Sequence, residues 1–348
     1  MKKKFMKKRF IGMLAVLAVI ITASVFGLTG CREMSEADVI GRLSTNLDEA
    51  TSYVANGRME VESEGQIHSY FVEVGFMSPN YYRVSMRNEA TGNEQIILKN
   101  DDGVFVLTPA LNKQFKFQSD WPQTSSQVYL YQSLLSDLLN AQVTTFEATD
   151  DHYIFTVGAN YDAGEKMIEQ VMQFDRKYLT PTFIEVKDDG GVTRMSMDFA
   201  SFEWNKVLAD DFFVAESIME LALSVMGDGE AMVVVNVEEA MLYPTYVPEG
   251  SSLVDKTTLA TAHGERVIMT FAGEHEFTII QETSRIREAS TSELILGEPV
   301  MVNGTVAAIT ENTLTWQRNG VEFFMVSNTL DRDQLVTVAA SIAEGYGK

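Results

Sequence analysis

Cysteine is nearly absent from this chain of 348 residues: Cys31 stands alone. One thiol makes no internal disulfide and no multi-cysteine zinc site. Histidine is scarce too. His68, His152, His263 and His275 lie far apart, mostly in strand-like runs, where a surface role suits each better than a metal cluster. Basic side chains are outnumbered, 27 Lys and Arg against 49 Asp and Glu, for a formal charge of −22. Nucleic acid and anionic headgroups repel such a chain, which excludes a nucleic-acid partner. Also missing are a GxSxG elbow, a P-loop and a calcium loop. His275-Glu276-Phe277-Thr278-Ile279 begins like HExxH, but Ile279 replaces the second histidine and the surroundings alternate like a strand. Gly227-Asp228-Gly229 begins like a dinucleotide loop, but Met232 replaces its last glycine. The expectation is a non-catalytic protein with no cofactor and no metal.

What is present begins with a leader. "MKKKFMKKRF" carries six basic residues and no acid, and an apolar run follows from Ile11 to Leu28. A basic start, an apolar middle and small residues before a fixed point describe a secretory signal peptide. Leu28-Thr29-Gly30-Cys31 resembles the bacterial lipobox, which implies cleavage before Cys31 and a diacylglyceryl group on its sulfur. An uncleaved membrane helix is the alternative, weakened by Gly12, Thr22, Ser24 and Gly27, and it leaves the cysteine unexplained. Two acyl chains, at about 0.8 kcal/mol per buried methylene, anchor a protein without a spanning helix. The expected location is the extracytoplasmic face of the cell membrane. Loss of the leader would leave 318 residues with a net charge of −28, enough chain for two cores.

A first helix is expected just after the anchor, opened by Ser35 with Asp38 three residues on. Val39, Leu43 and Leu47 form its apolar stripe. From Tyr53 to about Glu203 the dominant period is two, the mark of half-buried strands. Tyr70, Val72, Val74 and Phe76 fall on one face of their run; Tyr82, Val84 and Met86 follow in the next. Ile96 with Leu98, then Phe115 with Phe117, complete the pocket candidates. "SQVYLYQSLLSDLLN" interrupts the strands at helical spacing, and a meander curled around that helix is the economical packing. A connector with a short helix ending near Gly227-Asp228-Gly229 is expected next, and after it comes a second series of strands. It includes an Asn319-Gly320 hairpin signal and ends in a helix capped by Asp331, with Leu335, Val338, Ala339 and Ile342 as its apolar face.

Pro79-Asn80-Tyr81-Tyr82-Arg83, Asp102-Gly103 and Pro109 resemble the strand start and hairpin of the LolA/LolB/RseB superfamily, lipoprotein carriers and sensors. The stretch from Asp101 to Asn140 is similar to the sporulation lipoproteins of endospore-forming bacteria, often described as outer-membrane lipoprotein-sorting proteins. From Tyr243 onward the chain resembles a domain of unknown function carried by such lipoproteins. The resemblance implies an α+β protein. Its expected parts are a signal peptide (1–30), an incomplete antiparallel β-barrel wrapped on helices (31–205), a connector (206–235) and a smaller α+β domain (236–348). It implies a lipid or lipoprotein acyl ligand in an open-barrel cavity. The alternative is a scaffold or regulator that binds an envelope protein, such as a cell-wall enzyme or a membrane signalling protein. Ser78 stands where true carriers often have a basic residue, and the hairpin's aromatic pair is reduced to Phe105.

Overall fold

The computed structural model describes residues 33–63, 66–117, 127–141, 143–159, 167–226, 242–261, 264–283, 292–318 and 320–344. The leader, Cys31, Gly227-Asp228-Gly229, His263 and Asn319 lie outside them. Residues up to Val39 and residues Ile40–Lys348 form two compact units. No helix among the described residues is long and apolar enough to cross a membrane.

Helix α1 (Glu36–Glu49) starts where the sequence places it. Ser35 Oγ accepts from the Asp38 amide at 3.3 Å while the Ser35 amide donates to Asp38 Oδ2 at 3.1 Å, the reciprocal pairing of a capping box. A meander follows: β1 (Ser52–Ser63), β2 (Gln66–Met77), β3 (Tyr81–Asn88), β4 (Glu94–Asn100), β5 (Gly103–Thr108), a 3₁₀ turn (Pro109–Leu111) and β6 (Lys113–Phe117). Helix α2 (Tyr131–Asn140) interrupts, and β7 (Val143–Ala148), β8 (His152–Gly158), β9 (Met167–Asp175), β10 (Pro181–Asp188) and β11 (Thr193–Trp204) return. Strand β11 pairs with β1, so the two meanders join into one antiparallel sheet. Its ends do not meet: β7 forms one edge and β16 (Ser292–Ile295), added parallel to β6, forms the other. This is the open barrel. Helix α2 begins at Tyr131, later than the apolar spacing suggests, with Val128 and Tyr129 in a buried turn ahead of it.

Helix α3 (Ala215–Met226) falls in the stretch expected to be a connector. Ile218 and Met219 instead pack into a cluster with Ile96, Leu98, Phe105 and Leu107, which makes α3 a wall of the first sheet. Phe212, just before it, lies so close to β2 that a β-carbon on Gly75 would sit 2.3 Å from its ring.

The second sheet runs β13 (Ser251–Thr261), β14 (Gly264–Gly273), β15 (Phe277–Thr283), β20 (Val321–Ser327), β19 (Thr313–Arg318), β18 (Thr305–Ile309) and β17 (Glu298–Val302). Alternate residues of its inner strands face a core under helix α4 (Arg332–Ala340), where Leu335 and Val338 pack. Asp331 caps α4 through a full capping box with Gln334. Ile342 belongs not to that helix but to β21 (Ile342–Glu344), which pairs with β12 (Leu242–Pro244). Gln281, fully buried in this core, exchanges hydrogen bonds with both backbone groups of Leu242, which secures β12.

Candidate functional site

Register decides which candidates share a face, because residues directly opposite in an antiparallel pair point to the same side. Val72 faces Met86, Val74 faces Val84 and Phe76 faces Tyr82. Crossing to β4, Val84 meets Ile97, which meets Val106 and then Phe115. Phe117 joins through Val104. This inner face also takes in Tyr53 and Ala55 of β1, opposite Phe76 and Val74.

Ile96 and Leu98 are on the other side, opposite Ser85 and Arg83, in the cluster under α3. The expectation of one shared face therefore fails at β4. Ile96, Ile97 and Leu98 are all buried, because the inner core covers one side and α3 the other. A strand buried on both sides has no alternation to read.

The inner face is occupied by the protein's own side chains. Val72, Val74, Phe76, Tyr82, Val84 and Met86 are each 0–8 % exposed; Phe115 is half-buried. Tyr53 Oη donates to Gln132 at 2.7 Å and accepts from the Tyr131 amide at 3.3 Å, which fixes α2 on the sheet. Tyr131 Oη donates to the carbonyl of Leu43 at 3.2 Å, tying α2 to α1. Around them Phe202 stacks on Tyr53 at 4.9 Å and Trp204 meets Tyr131 edge-on at 4.9 Å. Burial pushes the phenols of Tyr53, Tyr129 and Tyr131 well above their ordinary range, so they act as neutral hydrogen-bonding groups.

At its far end the inner face meets the second sheet. Asn303 and Gly304 make the turn from β17 to β18, both with positive φ (48° and 74°). The Tyr70 ring rests on that turn: a β-carbon on Gly304 would lie 2.5 Å from it. Tyr70 Oη donates to the carbonyl of Asn303 at 3.0 Å, and the Val306 amide donates to Gln95 Oε1 at 2.7 Å. Lys113, buried on β6, pairs with Glu322 of β20.

Beside these contacts is a cavity of ≈ 270 Å³, bordered by Tyr70 and Met86 from the candidate set and by His68, Gln95, Gln317 and Arg318. Burial first, then the Arg318 charge, lowers the pKa of His68. No group of three or more His, Cys, Asp or Glu that could hold a metal occurs among the described residues. Sequence reasoning missed Arg318. The available signal was a lone basic residue ending the alternating run "TLTWQR".

A second groove, ≈ 680 Å³, runs over the outer face between Arg58, Phe71, Arg83 and Arg87. Phe71 is half exposed, with the Arg87 guanidinium 5.4 Å from its ring centre.

The chain is 36% identical over 340 residues to the sporulation protein YdcC of Bacillus subtilis (strain 168), covering 97% of this chain and 98% of that protein. No family model matches it. Among solved structures, the MucA/MucB complex of Pseudomonas aeruginosa is 15% identical, with 90% of this chain and 99% of that one covered and a TM-score of 0.32. A LolA superfamily protein from Nitrosomonas europaea is 12% identical, with 53% and 100% covered and a TM-score of 0.32. With overlap this loose, the open-barrel description rests on the strand order itself.

Proposed function

The chain belongs to the family of the sporulation protein YdcC, and from that premise we propose a lipid-anchored, extracytoplasmic, non-catalytic binding lipoprotein that holds a protein partner in the envelope. The observation that supports this reading is the occupied inner face: its candidate residues on β2 and β3 are 0–8 % exposed, under the protein's own helices. What remains for recognition lies beyond that packed face. The Arg- and Phe-lined groove has the residue types that dominate interface energetics.

A second reading, a lipid or acyl ligand held in the open barrel, is favoured by one observation. Tyr70 and Met86 belong to the inner face and also border a cavity. In that reading the other inner-face candidates, without Ile96 and Leu98, line the path an acyl chain takes when the turn at Asn303-Gly304 withdraws.

Native mass spectrometry of protein purified without detergent separates the two. A partner-free mass with no adduct, together with a stoichiometric protein complex from sporulating cells, supports the first. A co-purifying lipid on the unmodified inner face supports the second and overturns the first. Anchoring is tested apart from both: Cys31→Ala is expected to abolish palmitate labelling, and labelling that persists sinks the lipoprotein assignment.

A further inference from the structure

The cavity between the two sheets contains the guanidinium of Arg318. Arg318 ends β19 opposite Val321, on the core-facing side of its sheet. One Nη1 hydrogen is donated to the carbonyl of Ile342 at 2.8 Å, and Nη2 lies 3.5 Å from His68 Nε2. Among the described residues no carboxylate pairs with it, in a chain with 49 acids to 27 bases. A guanidinium has five N–H donors in a planar fork suited to a carboxylate, and most of those on Arg318 find no acceptor among the described residues. The carboxylate of Glu94, the one acidic residue among the described residues that line the cavity, is engaged by the Ser85 hydroxyl. Burial and the Arg318 charge disfavour the imidazolium of His68, which leaves Arg318 as the cation of the site. In the same wall Thr108 Oγ1 is buried with no hydrogen-bond partner.

We infer that this cavity captures the free C-terminal carboxylate of a peptide, with Arg318 taking the carboxylate and neighbouring Asn and Gln side chains taking the last peptide groups. The inference deepens the protein-partner reading and rests on it for the kind of ligand. The chemistry around Arg318 selects it. Asn93 supplies a donor and an acceptor, and the Gln95 amide nitrogen supplies further donors while Gln95 Oε1 holds Val306, as a peptide backbone requires; Met86 and Leu242 supply an apolar wall for a small side chain. A phosphate dianion calls for more positive charge than one guanidinium. At ≈ 270 Å³ the cavity is just below the roughly 300–1,000 Å³ that holds a drug-sized ligand, which suits a terminus of one or two residues.

The test titrates the purified protein with acetyl-Ala-Ala bearing a free carboxylate and, separately, with its C-terminal amide. The acid is expected to bind with a Kd on the order of 1 mM and the amide at least about tenfold more weakly, since the charge-assisted bonds are lost. Arg318→Gln should erase that difference and Arg318→Lys should keep part of it. Because Arg318 also holds the Ile342 carbonyl, a second reading uses the unaltered protein. In an NMR pH titration the acid should raise the pKa of His68, by placing a carboxylate beside the imidazole and offsetting Arg318, and the amide should not. Equal binding of acid and amide, or a His68 titration unmoved by saturating acid, overturns the site. The partner reading would survive that result, because co-purification tests it independently.

Discussion

The two sheets solve the same problem differently. The second is covered mainly on one side: Val267, Met269 and Phe271 of β14 are buried while Arg266, Ile268 and Thr270 between them are only partly covered. Its alternation is therefore visible in the sequence. The first sheet is covered on both sides around β4, by the inner aromatic core and by α3, and there alternation disappears. Alternation reports a difference between two environments; where both are apolar it carries no information.

The strongest test of this contrast places a charge on each face of one strand. Val74→Glu puts a carboxylate at a position with no solvent exposure, and the loss should be about 4 kcal/mol or more, enough to unfold a marginal domain. Phe71→Glu, three residues earlier on the outer face, should change stability by within about 1 kcal/mol. Equal effects in chemical denaturation would mean the inner face is not the packed one.

Next in size is the wall formed by α3. Leu98→Ala and Met219→Ala should each cost about 2–4 kcal/mol, as core truncations do. Their double mutant should show a coupling of about 0.5 kcal/mol or more, because both sit in one cluster. Strict additivity would return α3 to the role of a connector.

Gln281 sharpens the comparison from the other sheet. Gln281→Leu keeps the volume roughly but leaves the amide and carbonyl of Leu242 unsatisfied, a cost of about 1–3 kcal/mol. A neutral result would show that β12 does not depend on this side chain.

The smallest effect concerns pH. Burial raises the pKa of Asp137 on α2 from 3.8 to about 7, and Gln170 nearby offsets this in part. The folded state therefore holds a proton that the unfolded chain releases above about pH 4. Stability should fall as pH rises from about 4 to 7 and stay level above that. Asp137→Asn should remove the slope and add about 1–2 kcal/mol at pH 8, after allowing for solvent around a half-buried group. A wild-type stability that rises with pH across this window, with the variant unchanged, would refute the assignment.

The sequence by itself determined the local features: the cap at Ser35 and Asp38, the cap at Asp331, the order of strands, and the alternation of β2, β3, β14, β15 and β20. Each depends on neighbours within a few residues, so the information lies in the spacing. Only the tertiary structure decided that Ile96 and Leu98 turn away from Val84, because that choice belongs to a register spanning four strands. The same holds for α3 as a wall and for Tyr70 on the Asn303-Gly304 turn. Arg318 comes beside His68 from 250 residues away, through contact between two sheets, and no local pattern specifies that meeting.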